Sequence, residues 1–98
     1  MELNLVNVKS KKRYEVIIDD STAFIDYIIA KEKIYLTHTE VPKSMAGKGI
    51  GSTLVLKVLE DIERQNLILV PLCPFVASYI KRHPEWNKLV LKGSNVED

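Results

Sequence analysis

The stretch Ala-Gly-Lys-Gly-Ile-Gly-Ser at residues 46–52 separates two parts of the sequence that have different hydrophobic periods. Residues 42–51 contain three of the four glycines of the chain. After this stretch, apolar residues recur at steps of three and four, which is the spacing of one face of a helix. These residues are Leu54, Val55, Val58, Leu59 and Ile62. The sequence therefore predicts a helix from about Gly49 to Asn66 that begins directly at a glycine-rich loop.

The chain before the loop is typical of β-strands. Short polar gaps separate four segments rich in β-branched and aromatic residues, which predicts an antiparallel meander. The segments are Leu3–Val8, Arg13–Asp19, Ser21–Ile29 and Lys33–Val41. The alternation of the last segment predicts Ile34, Leu36, His38 and Glu40 on one side and Tyr35, Thr37, Thr39 and Val41 on the other.

The chain after the helix predicts one more strand and one more helix. Leu67–Leu72 is nearly all apolar, which suits a strand buried on both faces. Pro74–Arg82 can form a helix with proline in its first turn, and Pro84 ends it. We expect a last short element that packs the apolar residues Trp86, Leu89, Val90 and Leu91. The chain beyond Lys92 is polar and is expected to fray. We expect an α+β fold with a mixed, mostly antiparallel sheet of about five strands.

Composition limits the classes of function. The 98 residues suit a single domain, residues 1–98, with 46% apolar and 28% charged residues. A formal net charge of +1 argues against nucleic acid as a partner. No apolar run approaches the ~20 residues of a membrane helix, so no membrane contact is expected. A lone cysteine, Cys73, and no sign of a secretion signal favour a cytoplasmic protein. Cys73, His38 and His83 lack zinc spacing, so no metal is expected.

The glycine loop predicts an anion site. Glycines allow a close backbone approach, and the first amides of a helix lack intrahelical partners, so such a loop can bind a pyrophosphate. Lys48 precedes Gly49 and Gly51, which excludes the Walker A order of Gly-Lys-Ser/Thr. The alternating spacing of Gly47, Gly49 and Gly51 does not match the dinucleotide-binding fingerprint either. The alternative is a turn between strand and helix that binds no ligand.

Three segments resemble the GNAT superfamily of N-acetyltransferases. Glu40-Val41-Pro42, residues 46–52 and Leu54-Val55 are similar to its acetyl-CoA signature, with Gly49 and Gly51 on the two signature glycines. Ala46 stands where that family usually has glutamine or arginine. Short GNAT-like proteins also resemble this chain in length, and their hallmark is similar to 73–76, 79–80 and 84–86. The resemblance implies a reduced GNAT fold.

The resemblance also implies a cofactor site and a reaction. Acetyl-CoA, or CoA, would lie with its pantetheine arm in a gap between the strands on either side of the helix. The implied binding residues are Val41, Gly47, Lys48, Gly49, Ile50, Gly51 and Ser52. The implied reaction is acetyl transfer to a small-molecule or peptide amine.

Four residues are candidates for catalysis. Tyr79 stands where GNAT enzymes place the tyrosine that protonates the leaving thiolate; the alternative is a core tyrosine. His38 and Glu40 lie two residues apart on one strand, and either can act as base, or neither is needed. A helix start favours the thiolate of Cys73, which could accept the acetyl group with His38 as partner, form a mixed disulfide with CoA, or be an inert buried thiol.

The sequence leaves three functions open. The first is an acetyl-CoA-dependent N-acetyltransferase, the second a non-catalytic module that binds CoA or acyl-CoA, and the third a structural domain with an empty loop. We expect a monomer or weak homodimer. We expect Phe75 and Trp86 to lie in the core, because no basic surface accompanies them.

Overall fold

The computed structural model describes residues 3–92 and contains a five-stranded sheet with two α-helices. The strands follow chain order across the sheet, with antiparallel pairing throughout the first four and parallel pairing of the last two. This confirms the expected mixed α+β fold. The elements are β1 (Val6–Val8), β2 (Arg13–Ile18), β3 (Ser21–Ala30), β4 (Lys33–Glu40), α1 (Ile50–Arg64), β5 (Ile68–Pro71) and α2 (Pro74–Arg82). The expected frayed end beyond Lys92 lies outside the described residues.

Two tight hairpins connect the long strands. The β2–β3 turn passes through Asp19 at φ 55°, and the β3–β4 turn passes through Lys31 at φ 59°. A residue with a left-handed backbone conformation gives a two-residue turn a twist that matches the twist of the strands on either side. The polar gaps in the sequence are therefore the turns. The first strand is three residues shorter than predicted, because its pairing begins at Val6 rather than Leu3, and the other strands differ from their predicted bounds by at most one residue at either end.

α1 packs its predicted apolar face on the sheet. Ile50, Leu54, Val55, Val58, Leu59 and Ile62 are all buried, together with Tyr14, Val16, Ile25 and Leu36 of the sheet. The helix begins one residue after Gly49 and ends before Asn66, whose φ of 58° is incompatible with continuing the helix. A stripe of alternating three- and four-residue steps thus predicts the helix and the face that it buries.

The chain after α2 closes the core and extends the sheet. A 3-10 helix at Pro84–Leu89 buries Trp86, and Lys88 Nζ lies 2.7 Å from Glu63 Oε2 of α1. Val90 then forms a parallel bridge with Leu69 of β5. Both parallel crossovers, from β4 to β5 and from β5 to Val90, run in the same direction along the sheet. Right-handed crossovers in one direction place their helices on one face.

The other face of the sheet carries no helix among residues 3–92, and we call it the open face. The shortest dimension of the molecule is 19 Å, which is the thickness of one sheet and one helix layer. Ile17 and Ile28 on this face are 62% and 51% exposed. The fold is therefore a two-layer sandwich with a single core.

A β-bulge in β4 corrects the predicted alternation. His38 pairs with Asp26, but Leu36 pairs with Tyr27, so Thr37 is an extra residue opposite β3. An extra residue reverses the faces of the side chains that follow it. Ile34 and Leu36 therefore face α1, as Thr39 does opposite the buried Ile25. His38 and Glu40 face the open side, opposite to the prediction.

Candidate functional site

The loop between β4 and α1 has a backbone that requires glycine at two positions. Pro42 leads into a 3-10 helix at Lys43–Met45, after which Gly47 has φ 78° and Gly49 has φ 73°. L-residues with side chains rarely adopt this left-handed region. Gly49 is also the residue that caps α1, with no side-chain cap. The two glycines therefore leave the helix N-terminus open.

The amides of this loop are free to bind an anion. The amide of Thr53 donates to the carbonyl of Gly49 at 3.0 Å, which is the first α-helical bond. Among residues 3–92, the amides of residues 47–52 donate to no backbone or side-chain acceptor. The first turn of α1 contains no acidic residue. Unpaired amides and the positive end of the helix dipole together favour a phosphate group here.

A pocket of about 300 Å³ lies over these amides. Its lining includes Ser52 and the glycines Gly47, Gly49 and Gly51. The apolar part of the lining comes from Val41, Met45, Ala46, Ile50 and Phe75. The pocket therefore suits a ligand in which an anionic group is joined to a less polar arm.

Phe75 is a pocket residue that the sequence did not identify. Its side chain is 41% exposed instead of lying in the core as expected. It covers Gly51 so closely that a Cβ added there would lie 2.8 Å from Phe75 Cζ. The tight turn from Cys73 into α2 carries this ring to the loop. The signal available in the sequence was the hallmark at residues 73–76, taken together with a glycine at position 51.

β4 and β5 separate where the bulge lies. Their pairing ends at Leu36 and Pro71, and the carbonyl of Leu36 accepts hydrogen bonds from Leu72 N at 3.1 Å and Cys73 N at 2.9 Å. Beyond this point β5 turns into α2, whereas β4 continues through Glu40 paired to β3 alone among the described residues. A gap thus opens beside the last residues of β4.

Cys73 lies at the closed end of this gap. It is the residue before α2 and is only 4% exposed. Its Sγ lies 3.0 Å from Thr39 Oγ1 of β4, so the two side chains bridge the separating strands. No hydrogen bond joins Cys73 to His38, which was its expected partner. Thr39 is a contact that the sequence did not reveal, because the bulge decides its face.

Tyr79 lies on the inner side of α2. It is 6% exposed, and its ring centroid lies 4.2 Å from that of His83. Burial raises the pKa of the Tyr79 hydroxyl, and the carboxylates of Glu85 and Glu60 raise it further. The hydroxyl therefore keeps its proton at neutral pH.

His38 and Glu40 form a pair on the open face. His38 Nε2 donates a hydrogen bond to Glu40 Oε1 at 2.8 Å, and both side chains are 58% exposed. The ring of Phe24 lies beneath His38 with centroids 6.0 Å apart. Neither these two residues nor Cys73 and Tyr79 line the pocket at the loop. The site therefore consists of a loop pocket and three separate groups of candidate catalytic side chains.

Within residues 3–92, no group of three or more His, Cys, Asp or Glu side chains could hold a metal ion. No helix in the same range has the length and apolar composition needed to cross a membrane.

Comparison with known proteins identifies the family. The model of the GCN5-related N-acetyl-transferase family matches residues 13–89. The chain therefore belongs to the GCN5-related N-acetyltransferases. It is 26% identical over 65 residues to Protein NATD1 of Xenopus tropicalis, a match covering 66% of this chain and 60% of that protein's own length.

A solved structure shows the same fold. The solution NMR structure of a GCN5-like protein from Staphylococcus aureus superposes with a TM-score of 0.68. The superposition covers 92% of this chain and 87% of that chain at 22% sequence identity. The reduced GNAT fold implied by the sequence is thereby confirmed.

Proposed function

We propose that this protein binds acetyl-CoA at the loop Gly47–Ser52 and transfers its acetyl group to an amine. The observation that carries the proposal is the set of unpaired amides at residues 47–52 beside a pocket lined by glycines, Ser52 and apolar side chains. Membership in the GCN5-related N-acetyltransferases supports the same ligand. A diphosphate joined to a pantetheine arm has both chemistries that the pocket offers.

The loop binds the diphosphate in this proposal. The amides of residues 47–52 donate to the phosphate oxygens, and Ser52 adds a hydroxyl. Lys48 lines a neighbouring cavity with Asp19 and Asp20 rather than the pocket itself, so its positive charge acts from outside the pocket. Val41 and Phe75 pack against the arm as it enters the gap between β4 and β5. When bound, acetyl-CoA would supply an acetyl thioester for transfer.

The candidate catalytic residues have distinct tasks in this reaction. Glu40 or His38 takes a proton from the acceptor ammonium, so that the amine is nucleophilic. Tyr79, which stays protonated at neutral pH, donates a proton to the leaving thiolate. Cys73 offers a second route in which its sulfur accepts the acetyl group first. The first route needs no contact between Cys73 and His38.

Calorimetry with acetyl-CoA on variants of Ser52 tests whether the loop binds the diphosphate. Ser52 is exposed in the first turn of α1, where a glutamate stabilises the helix dipole but repels a diphosphate. We expect Ser52→Glu to abolish detectable binding while the thermal midpoint stays the same or rises. The matched variant Ser52→Ala keeps the amides and loses one hydroxyl, so its affinity should fall only about tenfold.

Two outcomes separate the alternatives. If the wild type gives no heat of binding and no thermal shift at millimolar acetyl-CoA, both the acetyltransferase and the CoA-binding module are excluded. The remaining function is that of a structural domain. Binding without thiol release, across polyamines, amino acids and peptides, would support the non-catalytic module instead. The open sheet face is the observation that favours this second candidate, because no helix of residues 3–92 forms an acceptor wall there.

A further inference from the structure

The end of the sheet where β4 begins carries an excess of positive charge, and we call it the basic end. Its lysines lie in the β1–β2 loop and around the β3–β4 turn, and they are Lys9, Lys11, Lys12, Lys31 and Lys33. Within residues 3–92 none of them forms an ion pair. Glu32 is the one carboxylate of these two turns. At the adjoining end of α1, Arg64 lies 3.2 Å from Asp61 and Lys88 lies 2.7 Å from Glu63, so these charges neutralise each other.

The two groups of lysines lie close together. The amide of Tyr27 donates to the carbonyl of Lys12 at 2.9 Å, so the β1–β2 loop runs beside β3. Lys33 pairs with Ala30, which is three residues beyond Tyr27 on the same strand. At the rise of a β-strand, these two levels are about 10 Å apart. The lysines of both turns therefore meet one partner together.

Two exposed isoleucines lie between the two turns. Ile28 is 51% exposed and Ile29 is 46% exposed. Consecutive residues of a strand point to opposite faces, so Ile28 points to the open face and Ile29 to the side of the helices. A partner that packs on one face of the sheet would cover only one of them. A partner that receives the end of the sheet contacts both.

The shape and chemistry of the basic end favour an anionic lipid surface over other anionic partners. Single-stranded nucleic acid is bound by stacking on exposed aromatic rings, whereas the exposed apolar residues here are aliphatic. A stable protein interface buries about 800 Å² on each partner around an apolar centre, which the end of one hairpin does not provide. A lipid surface offers anionic headgroups to lysines and an apolar boundary below them to aliphatic side chains.

We propose that the basic end docks on a membrane surface that contains anionic lipids, with its lysines on the headgroups and Ile28 and Ile29 at the boundary with the acyl chains. Our expectation of no membrane contact was based on the lack of a spanning segment, which peripheral binding does not require. The loop pocket lies beyond the other end of β4, whose eight residues span about 27 Å. The docked protein therefore keeps this pocket open to solvent.

Co-sedimentation of the full chain with vesicles tests this surface. Vesicles of phosphatidylcholine alone are compared with vesicles in which about a third of the lipid is phosphatidylserine. The partition coefficient on the anionic vesicles should be at least about tenfold higher at ~0.05 M salt, and it should fall about tenfold at ~0.5 M salt, because salt screens exposed charges. Equal partition on the two kinds of vesicle, or no binding to the anionic vesicles at low salt, would overturn the proposal.

Two pairs of matched variants assign the contact to the basic end. Lys11→Glu and Lys43→Glu each reverse the charge of an exposed lysine, at opposite ends of the sheet. Partition should fall about tenfold for Lys11→Glu and by less than about twofold for Lys43→Glu. Ile28→Thr and Ile17→Thr shorten exposed isoleucines on the same face, and partition should fall about threefold for Ile28→Thr alone. All four side chains are exposed, so the thermal midpoints should match that of the wild type.

Other results would assign the basic end differently. Equal weakening by Lys11→Glu and Lys43→Glu would show attraction to the protein as a whole and would refute the docking surface. Micromolar binding of an oligonucleotide or of polyglutamate, without binding to anionic vesicles, would also overturn the proposal. The proposal is independent of acetyl transfer, and acetyl-CoA should bind equally well with and without vesicles. Failure of the wild type to bind acetyl-CoA in solution would count against the proposed function alone.

Discussion

Gly49 and Gly51 lie two residues apart at the start of α1, and each is constrained by a different physical cause. The backbone of Gly49 has φ 73°, with open space where a Cβ would lie. Gly51 has an ordinary backbone, but a Cβ there would lie only 2.8 Å from Phe75 Cζ. The first glycine is therefore needed for conformation and the second for the shape of the pocket.

This difference predicts opposite effects of two alanine substitutions. Gly49→Ala should lower the free energy of unfolding by about 1–2 kcal/mol, the cost of a left-handed residue with a side chain. Gly51→Ala should leave stability unchanged or raise it by up to about 1 kcal/mol, because alanine favours the helix and the exposed Phe75 ring can move. The displaced ring should weaken acetyl-CoA binding by about fivefold or more, which is ~1 kcal/mol.

Urea unfolding and calorimetry on both variants measure these effects. The double variant Gly51→Ala/Phe75→Ala removes the clash, so the alanine at position 51 should then have little further effect on affinity. Equal destabilisation by the two single variants would show that the distinction between conformation and packing is wrong.

At the scale of elements, the sequence predicts helices and strands that have a clear hydrophobic period. It does not predict features that lie in a run of residues of the same polarity. The stripe through Leu54 and Ile62 fixes α1 and its buried face. The bulge at Thr37 escapes prediction because Thr37, His38 and Thr39 are all polar, so an inserted residue leaves no break in the hydrophobic pattern. One unseen residue places the candidate base on the other face. The ring of Phe75 at the pocket was missed for a similar reason, since an apolar side chain in a helix also suits the core.

The contact between α1 and β2 predicts how stability depends on alkaline pH. The hydroxyl of Tyr14 donates to Asp61 Oδ2 at 2.7 Å, and burial, followed by this hydrogen bond, raises its pKa in the folded state. A raised folded pKa means that the contribution to stability is fully present below the unfolded value of about 10 and is lost as pH rises above it. Stability should therefore fall with increasing slope in that range.

Tyr14→Phe should reduce this alkaline slope. At neutral pH the free energy of unfolding of the variant should be about 1 kcal/mol lower, because the hydrogen bond is lost. Its urea midpoint should then change less than that of the wild type between pH of about 9 and 11. Tyr27→Phe is the matched comparison, because burial also raises the pKa of Tyr27, whose hydroxyl donates to Asn7 Oδ1 at 2.6 Å. Parallel curves for Tyr14→Phe and the wild type would show that Tyr14 does not titrate with unfolding.

At the scale of the molecule, one layer of helices on one sheet leaves a large face to solvent. Neither composition nor periodicity reveals this, because alternating strands have the same pattern whether their polar face meets water or another protein. The apolar side chains on the open face stand apart, since Arg13, Glu15 and Asp26 lie among them in the pairing of β2 with β3. The face is thus broken into small apolar patches.

Such a surface predicts a monomer at ordinary concentrations. A stable dimer buries about 800 Å² on each partner and usually has an apolar centre. Here the exposed Ile17 and Ile28 are separated by ion-paired residues that an identical face would have to desolvate. Sedimentation should give a monomer at micromolar concentration, with weak association at most near millimolar. Ile17→Lys should leave the micromolar result and the urea midpoint unchanged, because Ile17 is 62% exposed. A micromolar dimer that Ile17→Lys dissociates would instead show that two copies share the open face.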